Sequence, residues 1–302
     1  MIYIDNNIFI KDEPCTAGAG ILEGFKPLFD AQVVTRLKAQ GKTLKLNALA
    51  SEFGLSAHHA HDACPRLCVD VTGGIRKAAL AAGKTFIKPS YGTVSRYGII
   101  PVACSGEQVG VLADDLATAK EILTIIAGHD PKDSTSLPEK SYHYDDQGDP
   151  KILQLTEENF PELKLAAPAW RILMSAEACN NFSRYDGVKY GRRAKAYTDI
   201  DSLYNNSRTE GFSFETKQVI LYGSDVLSKE RYQDCYDKAL RIRRRLQEKL
   251  SVLFTDYDVL ISEDAALPLI TGIPALVHGG VQYLADLLCD GKLFAAAGKG
   301  GN

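Results

Sequence analysis

The feature that most constrains this chain is a glycine-rich turn early in the sequence, read as Asp70-Val71-Thr72-Gly73-Gly74-Ile75-Arg76. Adjacent glycines permit positive φ and let another group approach the backbone closely. Successive N–H groups in such a turn can also form a nest that binds an anion or an oxyanion. Thr-Gly-Gly is an ordinary tight turn as well, so the motif alone predicts only a sharp bend.

The sequence around this turn resembles the amidase-signature family. That family runs roughly GSDTGGSIRQPA, then GLKPTYGRVSRYGL, then SSLDQIGP. The matching blocks here are residues 72–76, 88–92, 94–98 and 108–110, and no gap is needed from Ile75 to Gly98. The block AGHDPKDSTS at residues 127–136 points, within the family, to A subunits of the glutamyl-tRNA(Gln)/aspartyl-tRNA(Asn) amidotransferases. The resemblance implies the amidase-signature α/β/α fold, a mixed central sheet covered by helices.

The match fails where the family carries its chemistry. Amidase-signature enzymes are described by a Ser–cis-Ser–Lys triad, whose nucleophile is the serine of GGSIR. Here Gly74 is followed directly by Ile75, so the serine is either deleted or replaced by Gly74. The second serine, in the family's GGSSGGS motif, has no counterpart in the short segment from residue 54 onward. Thr72 or Cys68 remains as a substitute nucleophile, and the resemblance implies an oxyanion turn formed by Thr72, Gly73 and Gly74.

The candidate catalytic base is Lys11. The family opens with IAIKDNICTKG, and Lys11, Asp12 and Cys15 match it if a short loop after Gly18 is missing. Residues 2–10 alternate apolar and polar side chains, which predicts a strand. We therefore expect Lys11 at the end of this strand, pointing towards the turn. A competing ungapped alignment instead puts Asp5 at the lysine position.

A substrate-binding arginine is also missing. Residues 208–223 resemble the family segment RAEGFGEEVKRRIMLG, but Gln218 and Val219 stand where the family commonly has arginines. By resemblance, one of those arginines holds the substrate carboxylate, a task that suits a guanidinium because it bonds a carboxylate bidentately. The residues that would bind a substrate in this chain are therefore unknown.

A histidine and cysteine cluster fills the shortened segment, with His58, His61, Cys64 and Cys68 as its candidate ligands. A helix would place His61, Cys64 and Cys68 on one face, and zinc accepts such ligands. The spacing matches no standard zinc pattern. The simpler interpretation is a surface loop that contains His and Cys, and we predict no metal and no cofactor.

Composition limits the class of protein. The chain has 302 residues, a net charge of −3 and 45% hydrophobic residues, values typical of a globular protein without a basic field for DNA. The odd count of seven cysteines and the absence of a basic, apolar leader indicate reduced thiols and a cytoplasmic location, with no membrane span. We predict one truncated domain over residues 1–302, with a loop or insertion at 137–161 and a frayed tail at 298–302.

Residues 228–254 predict the longest helix, which carries a basic patch of Arg241 and Arg243–Arg245. A solvated face is the simpler interpretation of that patch, and a contact with tRNA phosphate is the alternative. The leading functional hypothesis is a catalytically impaired relative of the amidotransferase A subunit that acts by binding. Its partners would be B- or C-like subunits, with tRNA contacted only indirectly, or a small molecule. The alternatives are an active amide hydrolase or amidotransferase using Lys11 and an unusual nucleophile, and a metal-binding protein.

Overall fold

A computed structural model describes residues 1–49, 51–56, 64–144 and 148–299 of the chain. The strands are β1 (Ile2–Asp5), β2 (Leu44–Asn47), β3 (Arg66–Val69), β4 (Thr85–Lys88), β5 (Val109–Ala113), β6 (Ile152–Gln154), β7 (Val259–Ile261), β8 (Ala275–His278) and β9 (Val281–Ala285). The α-helices are α1 (Gln32–Ala39), α2 (Gly74–Ala81), α3 (Leu116–Ile126), α4 (Ala166–Phe182), α5 (Ile200–Gly211), α6 (Phe214–Val226), α7 (Lys238–Asp256), α8 (Leu267–Thr271) and α9 (Asp290–Lys299).

All the described strands join one mixed sheet, in the order β2-β1-β3-β5-β4-β8-β9-β7-β6. The pairs β1–β2, β1–β3 and β6–β7 are parallel, and the other neighbours are antiparallel. Because β4 lies beside β8, strands from the two ends of the sequence meet in the centre of the sheet. The parallel pairing of β1 and β3 brings their carboxyl ends to the same edge, beside the glycine-rich turn.

The central strands are buried on both faces. Successive side chains of a strand point to opposite faces of the sheet. In four central strands, one residue of such a pair belongs to the larger hydrophobic cluster and its neighbour to the smaller one. These pairs, with the residue of the larger cluster first, are Leu67/Cys68, Ile87/Phe86, Val111/Leu112 and Leu276/Val277. Ile75 and Ala79 of α2 pack on the smaller cluster, and α3, α4, α7 and α9 contribute to the larger one. The predicted mixed sheet covered by helices is therefore confirmed.

The longest helix starts later than its periodicity predicts. A π-helical turn, Gln233–Asp237, precedes α7, which then runs for 19 residues from Lys238 to Asp256. Its buried face consists of Ala239, Leu246 and Leu250. The predicted helix is therefore present, although its α-helical part begins at Lys238 rather than at residue 228.

The segment predicted as a loop at 137–161 contains β6, which the sequence did not indicate. Its residues are mostly exposed, and among the described strands it pairs only with β7, at the edge of the sheet. A three-residue strand of this kind has no hydrophobic pattern to reveal it. The expected frayed tail begins inside α9, and its last three residues lie outside the described part of the chain.

Candidate functional site

The glycine-rich turn lies between β3 and α2. Gly73 has φ 81° and precedes Gly74, the first residue of α2. The Gly74 N–H donates to Thr72 Oγ1 at 3.3 Å, and the Ile75 N–H donates to Asp70 Oδ1 at 3.3 Å. Two N–H groups of the turn therefore bind the turn's own side chains.

A second segment covers the turn closely. A Cβ atom at Gly73 would lie 2.5 Å from the Cβ of Ala265, so no side chain fits there. Asp70 and Arg76 form a fully buried ion pair, with Nε to Oδ2 at 2.8 Å, and the Arg76 guanidinium also donates to the Ala265 carbonyl. The short connection from β7 to α8 is thereby fixed over the turn.

Asp5, not Lys11, lies at the end of β1. Its carboxylate is buried, accepts a hydrogen bond from Asn47 Nδ2 at 2.7 Å and lies 3.6 Å from Arg66 Nε. The strand ends there, and the chain turns back so that the Ile8 N–H donates to the Asp5 carbonyl.

The predicted position of Lys11 is wrong. It lies in an exposed turn six residues beyond the strand, where its backbone N–H donates to Asp30 Oδ1 at 2.8 Å. The alternating pattern of residues 2–10 overestimated the strand, because β1 ends at Asp5. The competing alignment, with Asp5 in the place of the lysine, agrees with this geometry.

A cavity of about 760 Å³ opens beside Thr72, within the size range of small-molecule sites. We call it the Thr72 cleft. Gln218 and Val219, the positions of the missing arginines, line it together with Thr72. The apolar part of the wall includes Trp170, Met174, Ala265 and Ala266.

Charged side chains of both signs surround the mouth of the Thr72 cleft. Lys77 and Arg171 are the cations, Glu215 and Glu263 are anions, and all four are exposed. The Arg171 guanidinium lies 5.6 Å from the centre of the Tyr222 ring. Sequence reasoning did not single out these residues, because charged positions on separate helices give no local pattern.

Cys68 cannot substitute for the missing nucleophile. It is fully buried in β3 within the smaller hydrophobic cluster, and burial raises the pKa of its thiol well above the usual range. A thiol acts as a nucleophile only as the thiolate. Thr72, by contrast, is half-buried and reaches the cleft.

The candidate metal ligands do not share a helix face. Cys68 is in a strand, and Cys64 is half-buried, with its Sγ 3.4 Å from Lys84 Nζ. His58 and His61 lie outside the described residues. Within the described ranges, no group of three or more His, Cys, Asp or Glu side chains is arranged to hold a metal ion.

A buried lysine beneath the turn was also not foreseen. Lys88 ends β4 with none of its surface exposed, and its Nζ donates to the Pro89 carbonyl at 3.1 Å. Burial lowers the pKa of Lys88 to about 7; Arg76 acts in the same direction, whereas Asp290 and Asp70 oppose the shift. Lys88 does not contribute to the wall of the Thr72 cleft.

Comparison with known proteins decides the family. A family model described as Amidase matches residues 67–156 and 148–272, more than half of the chain. This chain belongs to the amidase-signature family. The resemblance seen in the sequence motifs is therefore confirmed.

Several relatives of this chain are described as A subunits of the glutamyl-tRNA(Gln) amidotransferase. The A subunit of the glutamyl-tRNA(Gln) amidotransferase from Halothermothrix orenii is 31% identical, and the match covers 86% of this chain and 68% of that protein. Its counterpart from Chlorobaculum tepidum is 31% identical, with coverages of 95% and 73%. This member of the family thus spans about two thirds of the length of such relatives.

Solved amidase-family structures share the fold. The A subunit of the glutamyl-tRNA(Gln) amidotransferase from Thermotoga maritima superposes with a TM-score of 0.73 at 19% identity, covering 97% of this chain and 81% of that one. The peptide amidase of Stenotrophomonas maltophilia gives 0.76 at 19% identity, with coverages of 98% and 80%. In the described parts of this family member, no helix is both long and apolar enough to cross a membrane.

Proposed function

We propose that this protein is a catalytically impaired relative of the amidotransferase A subunit, and that it acts by binding a small molecule in the Thr72 cleft. The observation that carries the proposal is Asp5 at the end of β1. The resemblance calls for a basic lysine there, but the Asp5 carboxylate is buried between Asn47 and Arg66. A lysine base works only when it is held neutral next to its nucleophile.

The remaining groups do not restore a hydrolytic site. Gly74 takes the place of the serine or adjoins its deletion, and Thr72 Oγ1 already accepts the Gly74 N–H. Lys77, the lysine that lines the cleft, is exposed to solvent. In a catalytic unit, losing the nucleophile alone lowers the rate by about 10⁴–10⁶, and further losses add little.

Binding has better support than catalysis in the Thr72 cleft. Its wall combines the Trp170 and Met174 side chains with two basic and three acidic side chains, the third acidic residue being Asp264. Such a mixture suits a small molecule that has an apolar centre and charged groups of both signs, such as a short peptide. All seven cysteines are free thiols, which agrees with action in the reducing cytoplasm.

Ammonia release and calorimetry test this proposal together. We expect the purified protein to release no ammonia from glutamine or asparagine above background, and a serine inserted between Gly74 and Ile75 not to restore full activity. A tetrapeptide library should yield a saturable heat of binding that Arg171→Ala weakens and the exposed control Arg244→Ala does not. Turnover that Thr72→Ala or Lys11→Ala abolishes would favour the active-enzyme alternative.

A partner is the second part of the proposal. The relatives are named as one subunit of a larger enzyme, and the block AGHDPKDSTS at residues 127–136 is retained. We infer a residual interface for B- or C-like subunits, with tRNA contacted only through them. Mixing the purified chains from one organism and measuring mass by light scattering tests this inference, since separate elution of every chain would contradict it.

A further inference from the structure

A second cavity, separate from the Thr72 cleft, is built around Arg243. It measures about 380 Å³ and is lined by Tyr91, Ser105, Leu137, Arg243, Gln247, Ile270, Thr271, Gly272, Leu287 and Leu288. We call it the Arg243 pocket. None of its lining residues belongs to the cleft.

Arg243 differs from the other arginines of its helix. Arg241, Arg244 and Arg245 pair with Asp237, Glu248 and Glu162 on the surface. Arg243 instead turns inward, makes no ion pair within the described residues, and has a buried Nε without a hydrogen-bond partner. A partly buried guanidinium without an ion pair is costly, so the part of Arg243 that lines the pocket marks a place for an anion.

The neighbouring polar groups hold Arg243 in place by hydrogen bonding, and none of them forms an ion pair with it. Its Nη2 donates to Ser105 Oγ at 2.8 Å, and the Ser105 N–H and O–H both donate to Glu177. Glu177 therefore receives its hydrogen bonds from Ser105 rather than from the guanidinium. Burial lowers the pKa of Arg243, and nearby Glu177 opposes that shift.

The rest of the Arg243 pocket is apolar or already hydrogen-bonded. Tyr91 Oη donates to the Cys104 carbonyl at 2.6 Å, and Gln247 Nε2 donates to the Thr271 carbonyl at 3.1 Å. Branched aliphatic side chains supply the apolar wall, namely Leu137, Ile270, Leu287 and Leu288. One cationic donor beside an aliphatic wall matches a carboxylate that carries an apolar chain, and not a small polyanion such as phosphate.

We propose that the Arg243 pocket binds a small aliphatic carboxylic acid, whose carboxylate pairs with the Arg243 guanidinium and whose chain contacts the aliphatic wall. Arginine forms strong, directional hydrogen bonds with carboxylates. The pocket volume lies at the lower end of the range for small-molecule sites, which suits an acid of this size. This inference does not depend on the function proposed for the Thr72 cleft.

The only tryptophan of the chain reports on this site. The Arg243 guanidinium lies 5.9 Å from the centre of the Trp170 ring, whose far edge packs on Gly106, next to Ser105. Trp170 Nε1 donates to the Val71 carbonyl at 2.9 Å, and the ring also lines the Thr72 cleft. An anion that pairs with Arg243 should therefore change Trp170 fluorescence directly.

The test titrates the full-length protein with 4-methylpentanoate, following Trp170 fluorescence and calorimetric heat. We expect saturable binding with a Kd of about 1 mM or below. The uncharged 4-methylpentanamide and inorganic phosphate should each bind at least about tenfold more weakly, since they lack the charge or the apolar chain.

Two matched arginines localise the site. Arg243→Gln should weaken 4-methylpentanoate at least about tenfold, because a charge-assisted hydrogen bond is lost. Arg244→Gln, at the adjacent and exposed position, should leave the affinity within about twofold. If Arg243→Gln fails to fold by circular dichroism, Leu287→Glu replaces it, since Leu287 is 46% exposed and the new carboxylate would repel the ligand.

Three results would overturn the proposal. One is the absence of saturable binding up to about 10 mM, far above the expected range. The second is an amide or phosphate that binds as tightly as the acid. The third is an affinity for the acid that survives Arg243→Gln and Leu287→Glu, or that falls equally in Arg244→Gln.

Discussion

At the scale of single residues, Gly73 is required by two separate features of the turn. Its φ of 81° is in the left-handed region, and its α-carbon lies against Ala265. A left-handed backbone conformation costs an L-residue about 1 kcal/mol. A side chain that overlaps Ala265 would add a further cost, because the neighbouring backbone would have to move. Gly83 separates the two effects, because it has a left-handed backbone conformation but, in the described part of the chain, no close neighbour at the position of a Cβ.

We predict that Gly73→Ala lowers the free energy of unfolding by at least about 2 kcal/mol more than Gly83→Ala does. Gly83 has φ 64°, and no atom of the described residues outside its chain neighbours lies within 4 Å of the position that a Cβ would take there. We therefore expect only the backbone conformation to oppose that substitution. Urea unfolding of the two variants measures the difference. Equal losses would mean that Ala265 does not restrict the turn.

Lys88 predicts a pH dependence of stability. Its pKa is about 7 in the folded state, and an unfolded lysine titrates near 10.4. Between pH 7 and about 10.4, Lys88 is protonated in the unfolded chain and neutral in the folded protein. This group therefore makes the free energy of unfolding rise with pH over that range. Below about pH 7 both states are protonated, and the folded protein bears the full cost of a buried ammonium beside Arg76, Asp70 and Asp290.

We therefore predict that Lys88→Met raises the free energy of unfolding relative to the unmodified protein at pH 6, and that the gain shrinks by a few kcal/mol at pH 9. Methionine removes the titrating group and keeps most of the side-chain volume. Lys164→Met, an exposed control, should show no such change with pH. Urea titrations at the two pH values check this, and a pH-independent gain would contradict it.

At the scale of elements, α7 carries packed core residues and Arg243 on the same side of the helix. Ala239, Leu246 and Leu250 pack into the larger hydrophobic cluster, whereas Arg243 turns towards its pocket. Residues three or four positions apart share a side of a helix, so Arg243 lies beside both Ala239 and Leu246. The helix can thus hold a charged side chain near the core without losing its packed stripe.

Leu246→Ala should lower the free energy of unfolding by about 2–5 kcal/mol, because it leaves a cavity in the core. Val252→Ala on the same helix, at a position that is 63% exposed, should change it by no more than about 0.5 kcal/mol. Chemical denaturation of both variants measures this contrast. Similar losses at the two positions would show that α7 does not pack as described.

At the scale of the whole molecule, the sheet joins the two ends of the sequence. β4 pairs with β8, and β7 lies between β9 and β6, so removing β8 and β9 would take one of their two partners from both β4 and β7. Unpaired backbone groups of a buried strand are costly. This topology is the basis for proposing a single domain over residues 1–302.

We predict one cooperative unfolding transition, with coincident curves from Trp170 fluorescence and far-ultraviolet circular dichroism. A fragment that ends at Thr271, and so lacks β8, β9 and α9, should show no cooperative transition. Two separated transitions in the complete chain, or a fragment that unfolds cooperatively, would indicate two independent domains.

The sequence by itself determined the family and much of the architecture. The gapless blocks at residues 75–98 indicate turns by their glycines and strands by their apolar runs. These local signals are present although the catalytic serines are missing. The apolar spacing of residues 228–254 predicted the helix α7 for the same reason, although not the residue at which it begins. The absence of a serine after Gly74 is likewise a fact of the sequence.

Only the tertiary structure decided which side chains meet. Lys11 and Asp5 were both compatible with the motif, and the end of β1 selected Asp5 because the strand stops there. Four arginines on α7 looked alike in sequence, yet the packing of α7 turned Arg243 inward. Such contacts join segments that are far apart in the sequence. Their energies therefore depend on residues that a local sequence pattern does not include.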